Sequence, residues 1–149
     1  MSRRGYVGLG IYDYKTDENV GTLMRSANCF NVDFLFTIKR RYSHQRGDTM
    51  KTPNHIPLFH FESLEEFQER KPFNCTTVCV ELDEKARSLY CYIHPIRAAY
   101  LLGREDSGLP KEYMEGKQVV QIPNLKTSLN VAVTGSILLY DRMFKNVLK

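Results

Sequence analysis

The segment Asn19–Arg25 (NVGTLMR) combines an amide, a glycine and an arginine at a spacing suited to binding an anion. It falls in a predicted helix, where Gly21, Arg25 and Asn28 share one face. Glycine lowers helix stability relative to alanine, so we expect another group to approach Gly21 closely. An arginine one turn beyond such a gap can hold a phosphate with its planar fork. The alternative is an exposed arginine on an amphipathic helix, and the segment alone favours that alternative.

A second cluster, Leu101–Pro110 (LLGREDSGLP), places a carboxylate and a Ser-Gly turn directly after an apolar strand. Gly103 would let the backbone approach a ligand, Glu105 follows it, and Pro110 suits the first turn of a short helix. The glycine patterns that bind dinucleotides and triphosphates are both absent. The turn therefore predicts a ligand loop of another kind.

A third cluster, Gln121–Val133 (QIPNLKTSLNVAV), leads from a strand through a polar loop into a helix that we expect Thr127 or Ser128 to cap. The predicted helix Ser128–Phe144 is nearly apolar all round, which indicates burial on more than one side. Its small residues, Ala132, Gly135 and Ser136, permit close packing. Such a helix is either a subunit interface or the central helix of a monomer, and its apolar surround favours the interface.

The elements that position these clusters alternate between strands and helices. Predicted strands cover Tyr6–Tyr12, Asp33–Ile38, Ile56–Phe61, Thr76–Glu81, Ala98–Leu102 and Gln118–Ile122. Predicted helices cover Asp17–Phe30 with Asp17 or Asn19 as its cap, Ser63–Arg70 with a Ser63/Glu66 capping box, Pro110–Glu115 and Ser128–Phe144. This alternation predicts a mostly parallel α/β sheet with helices on both faces, whose ligands bind beyond the carboxyl ends of the strands.

Composition predicts one soluble domain, residues 1–149, because 42% of the residues are apolar and 26% are charged. No apolar run is long enough to span a membrane. The short glycine-rich start indicates a strand and not a signal peptide. Cys29, Cys75, Cys79 and Cys91 lack the spacing of a metal or redox pair, which favours free thiols in a cytoplasmic protein without a metal.

Charge adds a weak indication of nucleic acid binding. Lys and Arg number 21 against 17 Asp and Glu, a net charge of +4. The basic residues Lys39, Arg40, Arg41 and Arg46 lie close together in sequence, so they form either an RNA contact or a solvated loop. We interpret His44, His55, His60 and His94 as surface or RNA-contacting residues, since they lack ligand-like spacing.

Taken together, the three clusters closely resemble the motifs of the SpoU (TrmH-like) branch of the SPOUT RNA methyltransferases. That pattern is an Asn-x-Gly-x-x-x-Arg helix, a Gly-x-Glu-x-x-Gly-Leu turn, and an Ile-Pro loop running into Ser-Leu-Asn-Val. The matching residues are Asn19, Gly21 and Arg25, then Gly103, Glu105, Gly108 and Leu109, then Ile122, Pro123, Ser128, Leu129, Asn130 and Val131. The match spans nearly the whole chain, with no departure at a motif position.

The resemblance implies a SPOUT fold, with a deep trefoil knot from about Cys75 onward that holds S-adenosylmethionine in a bent shape. Mapped onto this chain, the cofactor contacts would be Val80, Glu81, Leu102, Gly103, Ile122, Ser128 and Leu129. The catalytic set would be Arg25, Asn19, Glu105, Ser128 and Asn130, acting on a ribose 2′-hydroxyl. In the family the arginine is proposed to activate this hydroxyl. A free guanidinium is a poor base, so we expect Arg25 to clamp the adjacent phosphate and stabilise the developing alkoxide. Ser128 and Asn130 would orient Arg25 or the ribose, and Glu105 would tie its loop to the site.

The resemblance also implies a partner RNA and a second copy of the chain. The RNA contacts would be Arg25, Lys39, Arg40, Arg41 and Arg46, with tRNA favoured over rRNA. A homodimer through the C-terminal helix would bring Arg25 of one subunit towards the cofactor of the other. The alternatives are a catalytically silent RNA-binding protein of the same fold, and a small nucleotide-binding regulator without an RNA role.

Overall fold

The computed structural model describes residues 5–147 of the chain. Its parallel strands are β1 (Tyr6–Tyr12), β2 (Phe34–Ile38), β3 (Leu58–Phe61), β4 (Thr76–Val80), β5 (Arg87–Ser88), β6 (Arg97–Leu102) and β7 (Gln118–Gln121). Its helices are α1 (Asp17–Cys29), α2 (Leu64–Arg70), α3 (Lys111–Met114) and α4 (Val131–Val147). Every predicted element is present. The two-residue β5 was not predicted, because it is too short to show a period.

The strands form one sheet in the order β3-β2-β1-β6-β4-β7-β5. β1 pairs with β2 on one side and with β6 on the other, where Tyr6 lies opposite Arg97 and Ile11 opposite Leu102. β4 lies between β6 and β7. The carboxyl ends of β6, β4 and β7 are therefore neighbours, and the mostly parallel sheet is confirmed.

Helices cover both faces of the sheet, as predicted. On one face, α1 and α4 pack over the buried residues Val7, Leu9 and Ile11 of β1. On the other face, the ring of Phe36 stacks on Phe67 of α2 with centroids 4.4 Å apart. Complete burial of such side chains stabilises the fold by roughly 1.5–3 kcal/mol each.

The small residues of α4 pack inside the chain, against α1. A Cβ at Gly135 would lie 2.3 Å from Cδ1 of Leu23 on α1. Ala132 is buried, and the Ser136 hydroxyl bonds that of Ser26 at 2.8 Å. Close α1–α4 packing is therefore the reason for these small residues. One apolar face of α4 remains exposed in the single chain, so its burial on a further side stays a prediction that depends on a second subunit.

Two predicted helix caps were wrong. Helix α4 begins three residues later than predicted, because the side-chain oxygen of Asn130, and not of Thr127 or Ser128, accepts the N–H of Ala132 at 2.9 Å. Helix α1 has Thr16 at its N-cap without a side-chain cap, where Asp17 or Asn19 was expected. At α2, Ser63 accepts the N–H of Glu66 at 3.1 Å as predicted, but the Glu66 carboxylate accepts the N–H of Glu62 and not that of Ser63, so half of the capping box is confirmed.

His94 is buried, so its predicted place on the surface was wrong. Its ring nitrogens bond the Tyr100 hydroxyl and, at 2.7 Å, the Asp141 carboxylate of α4. Arg142 donates to the carbonyl of Pro95 at 2.6 Å. These bonds fix the second half of α4 to the segment before β6. His60 is also largely buried, with Nδ1 2.9 Å from the Thr37 hydroxyl, whereas His44 and His55 are exposed.

Candidate active site

A cavity of about 230 Å³ lies at the carboxyl ends of β4, β6 and β7. All the predicted cofactor contacts line it: Val80, Glu81, Leu102, Gly103, Ile122, Ser128 and Leu129. Lining residues that the sequence did not indicate include Arg104, Asp106, Gln121 and Thr134. Three loops that are distant in sequence therefore converge on one pocket, as parallel-sheet geometry requires.

The turn after β6 forms one wall of this cavity by folding back on the strand end. A Cβ at Gly103 would lie 2.6 Å from the carbonyl carbon of Gly108, so the two backbones touch. Gly108 has φ +68°, a left-handed conformation that favours glycine. Its N–H donates to the Arg104 carbonyl at 2.8 Å. Both glycines of the motif are thus explained by the shape of the turn.

Glu81, directly after β4, braces this turn. Its carboxylate accepts the N–H of Leu109 at 3.0 Å and the N–H of Leu82 at 3.2 Å. Burial raises the pKa of Glu81, and the two N–H donors counteract that shift only in part.

Three polar residues from the three sequence motifs form one hydrogen-bonded bridge. Asn130 donates to the Asn19 side-chain oxygen at 2.8 Å, and the Asn19 amide donates to Glu105 at 3.4 Å. Glu105 also accepts the N–H of Lys15 at 2.8 Å and of Thr16 at 3.2 Å. The bridge therefore joins the turn after β6 to the starts of α1 and α4.

The bridge changes the acidity of Glu105. Burial alone would raise the pKa of this carboxyl group. The N–H groups of Lys15 and Thr16, together with the Asn19 amide, outweigh that effect, so the pKa of Glu105 lies below its usual value. Glu105 thus accepts the N–H groups of the two residues just before α1, whose N-cap Thr16 makes no side-chain cap.

Arg25 lies apart from the cavity of its own chain. It is exposed on α1, and among residues 5–147 no hydrogen bond or ion pair engages its guanidinium. The close approach expected at Gly21 is present, but this chain's own loop supplies it: a Cβ there would lie 2.6 Å from Cβ of Gln45. Of the predicted catalytic set, the structure thus joins Asn19, Glu105 and Asn130, places Ser128 in the cavity, and leaves Arg25 separate.

The loop that covers Gly21 is built around a buried carboxylate that sequence reasoning missed. Asp48 is 0% exposed and accepts the Thr52 hydroxyl at 2.6 Å, the Thr52 N–H at 2.9 Å and the Tyr42 hydroxyl at 3.1 Å. The Thr52 hydroxyl oxygen also lies 3.1 Å from the Met24 carbonyl of α1, which is the alternative acceptor for its single proton. An Asp four residues before a Thr was the available signal, but it is common in loops.

The basic stretch divides into engaged and free cations. Arg40 stacks on the ring of Tyr14 and donates to Asp17 at 2.7 Å and to the Lys15 carbonyl at 2.7 Å. Arg41 makes an exposed pair with Glu62, and Lys39 one with Asp13. Arg46 is exposed, and within the described part of the chain it makes no ion pair.

Two further features bear on the class of site. Over residues 5–147 no group of three or more His, Cys, Asp or Glu side chains is arranged to hold a metal ion. In the same residues no helix combines the length and apolar character needed to cross a membrane. All four cysteines are free, with Cys75 and Cys79 buried.

A family model described as the SpoU rRNA Methylase family matches residues 7–140. Among proteins of curated function, none matches the chain.

Three solved structures illustrate the likeness. One, described as giving structural insights into the 2-OH methylation of C/U34 on tRNA, is 21% identical over 99% of this chain and 100% of its own, with a TM-score of 0.82. The SpoU methyltransferase AviRb from Streptomyces viridochromogenes, in complex with the cofactor AdoMet, is 17% identical over 99% of this chain and 60% of its own, with a TM-score of 0.80. The A. aeolicus TrmH/SpoU tRNA modifying enzyme is 17% identical over 99% of this chain and 77% of its own, with a TM-score of 0.81. These likenesses establish the fold, and this chain spans only part of the length of the latter two proteins.

Proposed function

Because the chain belongs to the SpoU rRNA Methylase family, we propose that it transfers a methyl group from S-adenosylmethionine to a ribose 2′-hydroxyl of RNA, with tRNA as the substrate. The observation that carries this proposal is the single cavity lined by Glu81, Gly103, Ile122 and Leu129, on which all three loops converge. The tRNA substrate is supported by the similar structure described with tRNA methylation, which matches end to end.

The lining of the cavity fits S-adenosylmethionine. Leu102, Ile122 and Leu129 provide apolar walls of the kind an adenine needs, and the backbone at Gly103 is unobstructed by a side chain. Glu81 adds an anionic group on the same surface. AdoMet is the cofactor in a solved relative of the same fold, which supports it as the cofactor here. When bound, it supplies an electrophilic methyl group.

Arg25 is our candidate for the group that acts on the ribose. Its guanidinium is exposed and unengaged within the described residues, so it is available to a phosphate. A guanidinium stays protonated in proteins, so Arg25 would not accept the hydroxyl proton. Its role would be to clamp the adjacent phosphate and stabilise negative charge on the attacking oxygen. Ser128 would contact the ribose from the cavity wall, while the bridge of Asn19, Glu105 and Asn130 would hold the loops in place.

A homodimer through α4 is supported by an apolar face that the single chain leaves exposed. Val133 is 47% exposed, Tyr140 55% and Phe144 50%, and the last two rings stack at 6.2 Å. A surface with several large apolar side chains is typical of an interface. In such a dimer Arg25 would complete the site of the second copy. Mixing an Arg25→Ala protein with one defective in its cavity should then restore about a quarter of wild-type turnover.

For RNA contact we propose Arg25 and Arg46 as the principal residues, with Lys39 and Arg41 as secondary ones. Arg46 is flanked by Gln45 and Gly47, both of which approach α1 at Gly21 and Thr22. This places it within about one turn of Arg25. The bonds of Arg40 within the chain support a positioning role for that residue, so its part in RNA binding would be indirect.

We also propose the trefoil knot for this chain. Support comes from the fold shared with SpoU structures and from the path of the chain: β6 lies between β1 and β4, and α4 returns past the cavity to pack on α1. Slow refolding from urea, with a phase unaffected by a prolyl isomerase, is the expected behaviour of a threaded chain.

The direct test is methyl transfer from radiolabelled S-adenosylmethionine to bulk tRNA and rRNA. A ribose 2′-O-methyl group blocks alkaline cleavage at the next phosphate, so labelled alkali-resistant dinucleotides would identify the ribose. Arg25→Ala should fold and bind S-adenosylhomocysteine normally but lose most single-turnover activity, and Arg25→Lys should recover little. Turnover of Arg25→Ala within a few-fold of wild type would remove Arg25 from the catalytic set. No transfer by the wild type to either RNA would favour a silent RNA-binding protein.

A further inference from the structure

The charged side chains that line the cavity are one arginine and three carboxylates: Arg104, Glu81, Glu105 and Asp106. The positive charge of Arg104 is already engaged. Its Nε donates to Asp106 at 2.6 Å, and its Nη1 donates to Asp13 at 3.3 Å. The cavity is thus anionic, and its one cation is held by two carboxylates.

The three carboxylates are not equivalent. Asp106 is exposed and paired with Arg104, and it is also 3.6 Å from the Lys15 amine. Glu105 is engaged by the backbone at the start of α1 and by Asn19. Glu81 is half-buried, and within the described residues it makes no ion pair. Within residues 5–147 neither Glu81 nor Glu105 has an ion-pair partner, but Glu105 is already engaged by three donors at the start of α1, which leaves Glu81 as the less engaged of the two.

Glu81 is also fixed against the cavity wall. Its partners are the backbone N–H groups of Leu82 and Leu109, and its Oε2 would lie 2.3 Å from a Cβ at Gly108. Two N–H donors favour the ionised form of a carboxyl group, although burial raises its pKa. A fixed, uncompensated negative charge at low solvent exposure interacts more strongly with a ligand charge than a surface carboxylate does.

We propose that Glu81 is the counter-charge for the sulfonium of S-adenosylmethionine and makes the cavity select the methyl donor over S-adenosylhomocysteine. This inference rests on the proposed function. The two molecules share the adenosine and amino acid parts and differ by one methyl group and one positive charge. A negative charge at Glu81 therefore distinguishes them without needing to contact the methyl group.

The consequence for turnover follows from the change of charge. The positive charge on sulfur declines as the methyl group leaves, so Glu81 attracts the bound donor more than the transition state or the product. Glu81 should therefore lower KM for the donor without raising kcat, and it should favour release of the product.

The test is calorimetric binding of three ligands to the full-length protein and to Glu81→Gln, Glu81→Ala and Glu81→Asp. The ligands are S-adenosylmethionine, S-adenosylhomocysteine and sinefungin, which carries an ammonium group near the position of the sulfonium. In both neutral variants, the affinity for S-adenosylmethionine should fall about tenfold more than that for S-adenosylhomocysteine. That factor corresponds to unit charges roughly 12 Å apart at an effective dielectric near 20. Sinefungin should follow S-adenosylmethionine, and Glu81→Asp should keep most of the discrimination.

Equal weakening of all three ligands would overturn the proposal, because it would show that Glu81 only braces the turn. The proposal would also be overturned if a folded neutral variant kept the wild-type ratio of affinities for S-adenosylmethionine and S-adenosylhomocysteine. If Glu81→Gln fails to fold, Glu81→Ala and Glu81→Asp decide the question by the same ratio. A wild-type protein that binds none of the three ligands would contradict the proposed function itself, which is a different outcome from equal weakening.

Discussion

Replacing Asn130 by aspartate separates two interactions that this side chain makes. Its oxygen caps α4 by accepting the N–H of Ala132 at 2.9 Å and of Val133 at 3.3 Å. Its amide donates to Asn19 at 2.8 Å and forms the bridge towards Glu105. Aspartate is as good a cap as asparagine, but it has no donor for the bridge. Rotating the Asn19 amide does not restore the bridge, because its oxygen would then face the Glu105 carboxylate.

The expected magnitudes differ between aspartate and alanine. Asn130→Ala loses the cap, worth about 1 kcal/mol, and one hydrogen bond, worth about another 1 kcal/mol. Its free energy of unfolding should fall by about 2 kcal/mol, or roughly 6 °C in Tm for a chain of this size. Asn130→Asp loses the bridge but keeps the cap, so its loss should be about 1 kcal/mol.

The affinity for the cofactor product should depend on the hydrogen-bonded bridge and not on the cap of α4. Both variants detach the start of α4 from Asn19 and so from the turn that carries Glu105, and each should therefore bind S-adenosylhomocysteine about fivefold more weakly, the equivalent of about 1 kcal/mol. Urea unfolding measures the free energy of unfolding, and calorimetry measures the affinity for S-adenosylhomocysteine. Asn19→Ala is the matched control, since it breaks the same bridge and leaves the cap of α4 intact. If Asn130→Asp binds the ligand as tightly as wild type while Asn130→Ala does not, the cap and not the bridge supports the cofactor cavity.

Three other predictions concern the buried histidine, the dimer and the RNA surface. Burial lowers the pKa of His94 below the roughly 6.5 of an unfolded histidine, so the free energy of unfolding should fall as the pH drops below about 6.5. His94→Gln should reduce the slope of the free energy of unfolding against pH by up to about 1.4 kcal/mol per pH unit. Urea unfolding between pH 7 and 5 measures this slope. Tyr140→Glu should shift the sedimenting species from dimer to monomer at micromolar concentration, because it places a charge in the exposed apolar face; unchanged sedimentation would argue against that interface. Arg46→Ala should reduce the slope of log affinity for RNA against log salt by about 0.7–0.9, whereas Arg40→Ala should lower Tm and leave the slope nearly unchanged.

The layout of the fold could be predicted because its signals are local. Each long strand is a short apolar run, and the helices α1 and α4 carry apolar residues at helical spacing, for example Val20, Leu23 and Ala27. The residues that the resemblance assigns to the cofactor line one cavity at the carboxyl ends of parallel strands, where the carboxyl-end rule predicts a ligand site. The short β5 and the loop around Asp48 have no such period, and the spacing of Asp48 and Thr52 is too common in loops to predict the second.

The errors arose where a distant partner replaced a local one. We expected a residue at the start of α1 to cap the helix. Instead, the carboxylate of Glu105, 89 residues after Thr16, accepts the N–H of Thr16. The surface position expected for His94 was wrong because Asp141, 47 residues later, provides its partner. The sequence showed that Gly135 is small, but it did not show that the neighbour that requires this is Leu23 on α1. A sequence pattern indicates that a residue must be small or polar, but it does not indicate which residue is its neighbour in the folded chain.

The same geometry bears on why Arg25 stands apart from the other motif residues. Asn19 fixes the start of α1 to the cavity through Glu105 and Asn130. Arg25 lies six residues further along the same rigid helix, which is about 9 Å in axial rise and about 240° in rotation. Its guanidinium is therefore directed away from the side of α1 that meets its own chain's cavity. Helix α4 packs beside α1, and its other, apolar face is exposed. In our proposal a second copy of the chain would dock on this exposed face. In the proposed dimer, an arginine that is turned from its own site would complete the site of the neighbour, so the bridge and the dimer together would set where Arg25 acts.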